Sequence, residues 1–221
     1  MPSSYRPISL LDTIGKLFEK ILLTRILHVV NERGLKLDEQ FGFRPRHSTL
    51  LQLARLVERL TRNFGEKRLT GVVFLDVAKA FDTVWIDDLL YKLLDFPSYM
   101  VHTISTYLRD RTFVATFQTV TSSRRGMRAG VTRGGLISPV LYCLYVNNMP
   151  QPSHHVKLAL YADDTAIIAM SRKPTPLFSY LESYLNDLQR WLNERRIAIY
   201  VSKSTVIIFA CAGGASSSPD Q

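Results

Sequence analysis

Two adjacent aspartates, Asp163 and Asp164, follow the apolar run 158–162, and another apolar run, 72–75, ends on Asp76. Carboxylates at strand ends cost stability unless a cation lies between them. Three hard oxygen ligands at one point suit Mg²⁺, which completes its shell with water and phosphate oxygens. Two such ions, about 3.5–4 Å apart, stabilise the attacking and leaving oxygens of an in-line phosphoryl displacement. We therefore predict that these three aspartates bind metal and are catalytic.

A second adjacent acid pair, Asp87-Asp88, has a different setting. It opens the helical pattern 89–94, and acids in the first turn of a helix are favoured by the helix dipole. We interpret this pair as a helix start. Asp163-Asp164 lies instead between two apolar runs, in a predicted hairpin turn, where aspartate is also common for purely structural reasons. The aspartate at the end of a distant strand favours the metal-binding interpretation.

The composition indicates a basic globular chain with a polyanionic partner. In 221 residues there are 28 Lys and Arg against 19 Asp and Glu, for a net charge of +9, and hydrophobic residues make up 46%. Nucleic acid is the first candidate partner for such a charge, although many basic proteins bind no nucleic acid specifically. The two cysteines, Cys143 and Cys211, exclude a disulfide framework, and no Cys/His cluster has zinc spacing. We expect His154-His155 to lie in a loop.

Membrane and export signals are not expected. The chain has no run of eighteen apolar residues, and its first ten residues lack an apolar secretory core. We expect an intracellular protein, in the nucleus or the cytoplasm, with no membrane partner. Residues 213–221 are small and polar, and we predict a disordered tail over 210–221.

The periodicity predicts helices in the first third of the chain. Apolar residues at helical spacing follow Asp12 and stop at Gly34, and Ser48 is the expected N-cap of a second amphipathic helix. The loop 40–46 between them interleaves aromatic and basic residues. Such a mixture suits phosphate contact and base stacking, and an ordinary turn with exposed arginines is the alternative.

The remaining pattern alternates strands and helices. We predict these elements: strand 70–76, helices 86–96 and 98–109, strand 112–120, glycine-rich loop 130–135, a helix capped by Ser138, hairpin 156–169, a long helix capped by Thr175-Pro176, and β segments 197–201 and 205–209. One arrangement that fits this order is a βαββαβ-type split sheet with helices on one face. In that arrangement Asp76 and Asp163 lie on adjacent strands.

Four motifs occur in order along nearly the whole chain. They are YRPISLL at 5–11, QFGFRP at 40–45, FLDVAKAFD at 74–82 and YADD at 161–164. Together they resemble the reverse transcriptase domain of non-LTR (LINE-type) retrotransposons, closest to jockey-like insect mobile elements. The residues of the motifs YRPISLL and FLDVAKAFD favour this branch over the group II introns and telomerases, which have a related palm.

The resemblance implies an α+β right-hand polymerase fold with fingers and palm. Residues 1–68 are then a fingers portion, and 69–209 are the palm with some fingers elements, such as the hairpin 112–130. The palm is expected to be a split βαββ antiparallel sheet with helices on one face, and the thumb is expected to be missing. The implied function is RNA-directed DNA polymerisation, in which two Mg²⁺ ions (Mn²⁺ is possible) assist transfer of dNTPs onto a DNA primer 3′-hydroxyl opposite an RNA template.

The resemblance also implies four nucleotide-binding residues. Phe81 matches the bulky residue that packs against the sugar and excludes a 2′-hydroxyl, although a core aromatic is the simpler alternative. Arg44 matches an arginine that contacts the incoming triphosphate. Lys203 matches a lysine near the primer end or triphosphate, with a solvated strand-end lysine as its alternative. Arg133 stands where the family usually has a glutamine over the nascent base pair, and it could still hold a phosphate.

A second departure bears on activity. Tyr200 stands where the family usually has asparagine, shortly before Lys203. With Arg133 and the expected lack of a thumb, it leaves open a rival hypothesis: a truncated, catalytically inactive remnant that at most binds nucleic acid. The sequence does not indicate the oligomeric state.

Overall fold

A computed structural model describes residues 9, 11–35, 40, 42 and 47–210 of this chain. The chain forms two compact units, each assembled from separate stretches of sequence. The first unit comprises Met1–Leu37, Ala78–Asn148 and Asn193–Ala198, and the second comprises Asp38–Val77, Met149–Leu192 and Ile199–Gln221.

Helices and short strands alternate along the described residues. The helices there are α1 (Thr13–Glu32), α2 (Thr49–Gly65), α3 (Ile86–Lys92), α4 (Ser98–Leu108), α5 (Ser138–Tyr145) and α6 (Pro174–Glu194), with a 3₁₀ turn at Val201–Lys203. The strands are β1 (Leu69–Asp76), β2 (Thr112–Phe113), β3 (Thr116–Phe117), β4 (Val120–Thr121), β5 (Arg125–Gly126), β6 (Val156–Tyr161), β7 (Asp164–Ser171) and β8 (Thr205–Phe209).

The second unit is built on a four-stranded sheet in the order β6-β7-β1-β8. All three pairings are antiparallel, and β1 lies between β7 and β8. The register places Asp76, the last residue of β1, directly opposite Asp164, the first residue of β7. The predicted antiparallel sheet and the predicted neighbouring strands are therefore confirmed.

Helices cover both faces of this sheet, whereas the sequence pattern predicted them on one. Val72 and Ala166 form a core on one face, and Leu56 of α2 packs against it. On the other face, a Cβ added at Gly71 would come within 3.0 Å of Leu181 on α6. The reason is that neighbouring positions of β1 and β7 are apolar and buried, so neither face can remain open to water.

Both helices in the first third of the chain have a side-chain N-cap, and the predicted cap Ser48 is confirmed. The Asp12 carboxylate accepts a hydrogen bond from the Gly15 N–H at 2.6 Å, and the Ser48 hydroxyl accepts one from the Leu51 N–H at 3.2 Å. Each bond satisfies an N–H group that has no partner within its helix.

The first unit has a helical core and a protruding hairpin. Leu89, Ile104 and Leu141 are fully buried on α3, α4 and α5. The predicted single strand 112–120 is wrong, because the chain turns back at Gln118, whose φ is +53°, and β3 pairs with β4. At the base of the hairpin, away from this turn, β2 pairs with β5, so 112–126 forms one interrupted hairpin.

Several element boundaries differ from the sequence expectation. The helix predicted at 86–96 already ends at Lys92. Ser138 is the first residue of α5 rather than its cap, because Ile137 already has helical backbone angles. Helix α6 begins at Pro174, one residue before the expected Thr175 cap, and proline is well suited to a first helical turn. The β segment predicted at 197–201 is reduced to a single bridge between Val77 and Ile199, followed by the 3₁₀ turn.

Candidate active site

The predicted carboxylates meet at one end of the sheet in the second unit. Asp76 and Asp164 are register partners on β1 and β7, and Asp163 occupies the turn that precedes β7. The pKa of Asp164 is raised above its ordinary value, first by desolvation and then by the negative charges of Asp163 and Asp76. The Asp164 carboxylate is therefore close enough to the other two to be repelled by their charges, and a bound cation would relieve this repulsion.

Gln40 holds the turn that carries these aspartates. Its side-chain amide accepts a hydrogen bond from the Ala162 N–H at 3.0 Å and donates one to the Ala162 carbonyl at 3.1 Å. Ala162 has a left-handed backbone with φ of +59°, which is unfavourable for a residue with a Cβ. The double contact from a buried amide therefore fixes a strained residue directly before Asp163.

Gly42 lies against the same turn. Its N–H donates to Gln40 Oε1 at 2.8 Å, and a Cβ at Gly42 would come within 2.1 Å of the Ala162 nitrogen. The sequence suggested that the loop 40–46 contacts phosphate. The two described residues of this loop, Gln40 and Gly42, position the aspartate turn, a role that an alternation of aromatic and basic residues does not reveal. Its aromatic and basic residues lie outside the described part of the chain, so the phosphate contact stays a prediction.

Helix α2 contacts β6, the strand that precedes the aspartate turn. The buried Gln52 donates a hydrogen bond to the Leu160 carbonyl at 3.1 Å. A cleft of about 280 Å³ opens beside this contact, lined mainly by apolar groups such as Leu53 and Phe74, and it reaches Asp164. The carboxylate end of the sheet therefore adjoins a partly desolvated space, which agrees with the raised pKa of Asp164.

The segment after α6 returns to the end of β1. The Tyr200 N–H donates to the Asp76 carbonyl at 2.9 Å, and the Asp76 N–H donates to the Ser204 hydroxyl at 3.4 Å. Lys203 Nζ lies 3.4 Å from Asp76 Oδ2. The structure thus brings Lys203 together with one of the predicted carboxylates, that of Asp76.

The donor chemistry of Asp76, Asp163 and Asp164 fits a divalent metal, because they offer carboxylate oxygens alone. Within the described residues, however, no three His, Cys, Asp or Glu side chains form a ready metal-ligand cluster. One carboxylate, that of Asp76, is turned toward Lys203. Asp76, Asp163 and Asp164 are the residues that would hold the metal.

Phe81 lies in the first unit, against the glycine-rich loop. Its carbonyl accepts a hydrogen bond from the Val131 N–H at 2.7 Å, and its ring lies 5.1 Å from the ring of Tyr142. The Gly130 N–H donates to the Val84 carbonyl at 2.8 Å, and a Cβ at Gly130 would come within 2.7 Å of the Asp82 carbonyl. The loop 130–135 is therefore held closely against the segment that follows the FLD motif.

Arg133 projects from this loop toward an acid. Its Nη1 lies 4.0 Å from Asp82 Oδ2, the outer limit of an ion pair, and both side chains are partly exposed. Its backbone carbonyl accepts a hydrogen bond from Ser9. The guanidinium is thus weakly held, and its donors are accessible to an anion.

Sequence reasoning missed Glu19, a fully buried acid on α1 (0% exposed). Its carboxylate accepts hydrogen bonds from the Leu136 N–H at 2.6 Å and from the Tyr107 hydroxyl. Burial, and next the bond to Glu19, raise the pKa of Tyr107. Glu19 therefore anchors the end of the glycine-rich loop, and its position within an amphipathic helix gave no sequence signal of this role.

The second acid pair opens a helix, as the sequence predicted. Asp87 and Asp88 both lie in the first turn of α3. Asp87 is exposed and pairs with Arg109 at 2.8 Å, whereas Asp88 is buried and pairs with Arg195 and, at 3.9 Å, with Lys92. Asp88 is therefore a structural acid whose burial the helix pattern did not indicate.

Several predictions concern residues outside the described part of the chain. These are Arg44, most of the YRPISLL motif and all but the first residue of the tail 210–221. His154 and His155 lie in a turn, as expected. In the portion that the structure describes, every helix is too short or too polar to cross a membrane.

Comparison with known proteins agrees with the motifs. Residues 1–217 match the family "Reverse transcriptase (RNA-dependent DNA polymerase)". The chain is 35% identical over 213 residues to the probable RNA-directed DNA polymerase from transposon X-element of Drosophila melanogaster, covering 94% of this chain and 24% of that protein. It is 34% identical over 215 residues to the RNA-directed DNA polymerase from mobile element jockey of the same organism, again covering 94% and 24%.

The fold also matches solved structures. A telomerase from Candida tropicalis, solved in complex with a TWJ fragment of telomeric RNA, aligns with a TM-score of 0.63 over 90% of this chain and 34% of that chain. Only 14% of residues are identical, so this likeness concerns the fold alone. The chain spans about a quarter of the length of the curated relatives reported above. From the match over residues 1–217, the chain belongs to the reverse transcriptase family.

Proposed function

We propose that this chain is the polymerase domain of a mobile-element RNA-directed DNA polymerase, with 1–68 as its fingers portion and 69–209 as its palm. The observation that carries the proposal is the register of β1 and β7, which sets Asp76 opposite Asp164 beside Asp163. When bound, Mg²⁺ or Mn²⁺ supplies Lewis-acid stabilisation of the attacking and leaving oxygens.

The side chains of the chain itself have distinct roles in this proposal. Asp76, Asp163 and Asp164 hold the divalent ions and thereby orient the primer 3′-hydroxyl and the dNTP phosphates for in-line displacement. Phe81 contacts the sugar of the incoming nucleotide. Arg44, Arg133 and Lys203 contact phosphate oxygens, to which guanidinium and ammonium groups donate charge-assisted hydrogen bonds; these roles rest on the resemblance of the motifs.

Binding of an RNA template and a DNA primer is supported by charge. No Asp or Glu occurs between Asp110 and Asp163. In the hairpin within this stretch, Arg124 and Arg125 are exposed together with Phe117. Exposed cations with an aromatic ring suit a single-stranded nucleic acid, because the cations neutralise phosphates and the ring stacks on bases.

Primer extension tests the polymerase proposal. The purified chain is given a primed RNA template, dNTPs and Mg²⁺, and Asp76→Asn, Asp163→Asn and Asp164→Asn are compared with it. Each substitution should lower incorporation by on the order of a hundredfold or more, because it removes a ligand charge where transition-state charge is stabilised. The melting temperature should change little, because relieved repulsion offsets the lost contacts.

Asp187→Asn is the matched control, because Asp187 is an exposed acid on α6 that pairs only locally with Arg190. It should retain wild-type incorporation. Asp76→Asn extending primer at the wild-type rate would exclude the proposed site. A folded wild-type chain that binds template in a salt-sensitive way and never extends the primer would identify an inactive remnant.

A further inference from the structure

Lys203 is the cation nearest to a predicted metal ligand in the described part of the second unit. Its Nζ lies 3.4 Å from Asp76 Oδ2, and 58% of the Lys203 side chain is exposed. An exposed lysine has many rotamers, and holding it in one place costs conformational entropy. The ammonium of Lys203 therefore stays at the Asp76 carboxylate only if neighbouring groups hold it there.

Tyr200 is the neighbouring residue that holds Lys203 in place. Its ring lies 4.8 Å from Lys203 Nζ, within the range of a cation–π interaction. Its carbonyl accepts hydrogen bonds from the Lys203 N–H at 3.0 Å and from the Ser204 hydroxyl at 2.9 Å. Its own N–H donates to the Asp76 carbonyl at 2.9 Å. One residue thus holds the backbone of Asp76, the backbone of Lys203 and the Lys203 ammonium.

The ammonium and a divalent metal require the same oxygen atoms. Asp76 points at Lys203, and the described carboxylates do not form a ready metal-ligand cluster. A metal that takes Asp76 as a ligand must displace Lys203 or share the carboxylate with its positive charge. Displacing Lys203 loses its attraction to Asp76, and sharing the carboxylate places two positive charges close together, so both alternatives cost free energy.

We propose that Lys203, positioned by Tyr200, is the resident counter-ion of Asp76 and competes with the divalent cation for that carboxylate. The pair thereby lowers the metal affinity of the site in the absence of substrate. This inference rests on the proposed function only in that Asp76 is a metal ligand. It assigns to Tyr200, which stands where the family usually has asparagine, a positioning role.

Metal binding to the purified chain without nucleic acid or dNTPs tests the proposal. Free Mn²⁺ is measured by electron paramagnetic resonance during titration, so the readout is independent of catalysis. Lys203→Met should bind Mn²⁺ roughly threefold to tenfold more tightly than wild type, the range for losing an exposed charge contact and its repulsion of the ion. Lys203→Arg, which keeps the charge, should stay near wild type.

Two substitutions at Tyr200 separate positioning from a general structural effect. Tyr200→Leu removes the ring and should raise Mn²⁺ affinity part of the way toward that of Lys203→Met. Tyr200→Phe keeps the ring and should leave the affinity unchanged. Melting temperatures confirm that each variant is folded.

Lys157→Met is the charge-matched control, because Lys157 is an exposed lysine on β6. An equal gain of affinity in this control would overturn the proposal, since it would reflect net charge alone. Unchanged affinity in Lys203→Met would also overturn it, while leaving the proposed function intact if Asp76→Asn still weakens Mn²⁺ binding. Wild type and Asp76→Asn with the same affinity would reject Asp76 as a ligand and hence both proposals.

Discussion

At the scale of single residues, the aspartates are positioned by side chains that carry no charge. Gln40 contacts both backbone polar groups of Ala162, and Gly42 leaves room for the same turn. A buried amide whose oxygen and nitrogen are both hydrogen-bonded favours one geometry, because a displacement leaves a donor or acceptor without a partner. Asp163 follows this constrained residue directly, so its direction depends on Gln40.

Gln40→Glu tests this dependence with almost no change in volume. The carboxylate can still accept from the Ala162 N–H, but it cannot donate to the Ala162 carbonyl, and it adds a negative charge beside the aspartates. We expect primer extension to fall by on the order of tenfold to a hundredfold, as small misplacements of reacting groups do. Steady-state incorporation kinetics measure the loss.

Gln189→Glu is the control for this prediction, because Gln189 is exposed on α6. Its incorporation rate should equal that of wild type. Retention of full activity in a folded Gln40→Glu protein would show that the amide has no positioning role.

At the scale of elements, a buried charge network holds α3 in the first unit. Asp88 pairs with Arg195, and the nearby Lys92 donates to the Tyr145 carbonyl and to Asn148 Oδ1 at 2.6 Å. Desolvation, followed by the charge of Arg195, lowers the pKa of Lys92 from 10.5 to about 8. The folded chain therefore bears a cost for keeping Lys92 charged, even though Asp88 partly offsets it.

This shift predicts a pH dependence of stability. Between about pH 8 and 10.5 the unfolded chain keeps the Lys92 proton more often than the folded chain does, so this group makes the free energy of unfolding rise with pH. Below about pH 8 both states are charged and the full cost remains. Lys92→Met removes the titration, so wild type should gain stability relative to Lys92→Met as the pH increases from 8 to 10.

Urea unfolding of both proteins at several pH values measures this difference. Lys157→Met serves as the comparison, since that lysine is exposed and its removal should leave a curve parallel to that of wild type. Parallel curves for wild type and Lys92→Met would contradict the assigned shift.

At the scale of the whole molecule, the distribution of charge is uneven. The net charge is +9, and the stretch between Asp110 and Asp163 contains no acid. Phosphate contacts made by such a surface release counter-ions, so affinity for nucleic acid must fall as salt increases. The hairpin residues Arg124 and Arg125 contribute exposed charges to this stretch.

The salt dependence of RNA binding tests the contribution of the hairpin. We expect the logarithm of the affinity for a single-stranded RNA to fall linearly with the logarithm of salt concentration. Replacing Arg124 and Arg125 with Gln should reduce the magnitude of that slope by about one to two. Fluorescence anisotropy with a labelled oligonucleotide gives the slopes.

The paired control replaces Arg62 and Arg190 with Gln. These arginines are exposed but each is neutralised by an acid on its own helix, Glu58 and Asp187 respectively. The slope of this control should be closer to that of wild type than the slope of the hairpin variant is. An equal change in both double variants would assign the effect to net charge rather than to the hairpin.

Much of this molecule follows from the sequence alone. The N-cap Ser48, the strand that ends at Asp76, the hairpin around Asp163-Asp164 and the family all rest on patterns between residues close in the chain. Such patterns are readable because backbone capping and strand alternation are local. The roles of Phe81, Arg133 and Lys203 remain predictions, and Arg44 lies outside the described residues.

Only the tertiary structure determined which polar side chains support the site. Gln40 contacts a residue 122 positions away and Glu19 contacts one 117 positions away, and no local pattern distinguishes them from other polar residues of a loop or helix. The same holds for the burial of Asp88 and for the contact of Lys203 with Asp76. The physical reason is that hydrogen bonds and ion pairs in a desolvated site depend on which distant segments fold together, whereas caps and strand periods depend on neighbours along the chain.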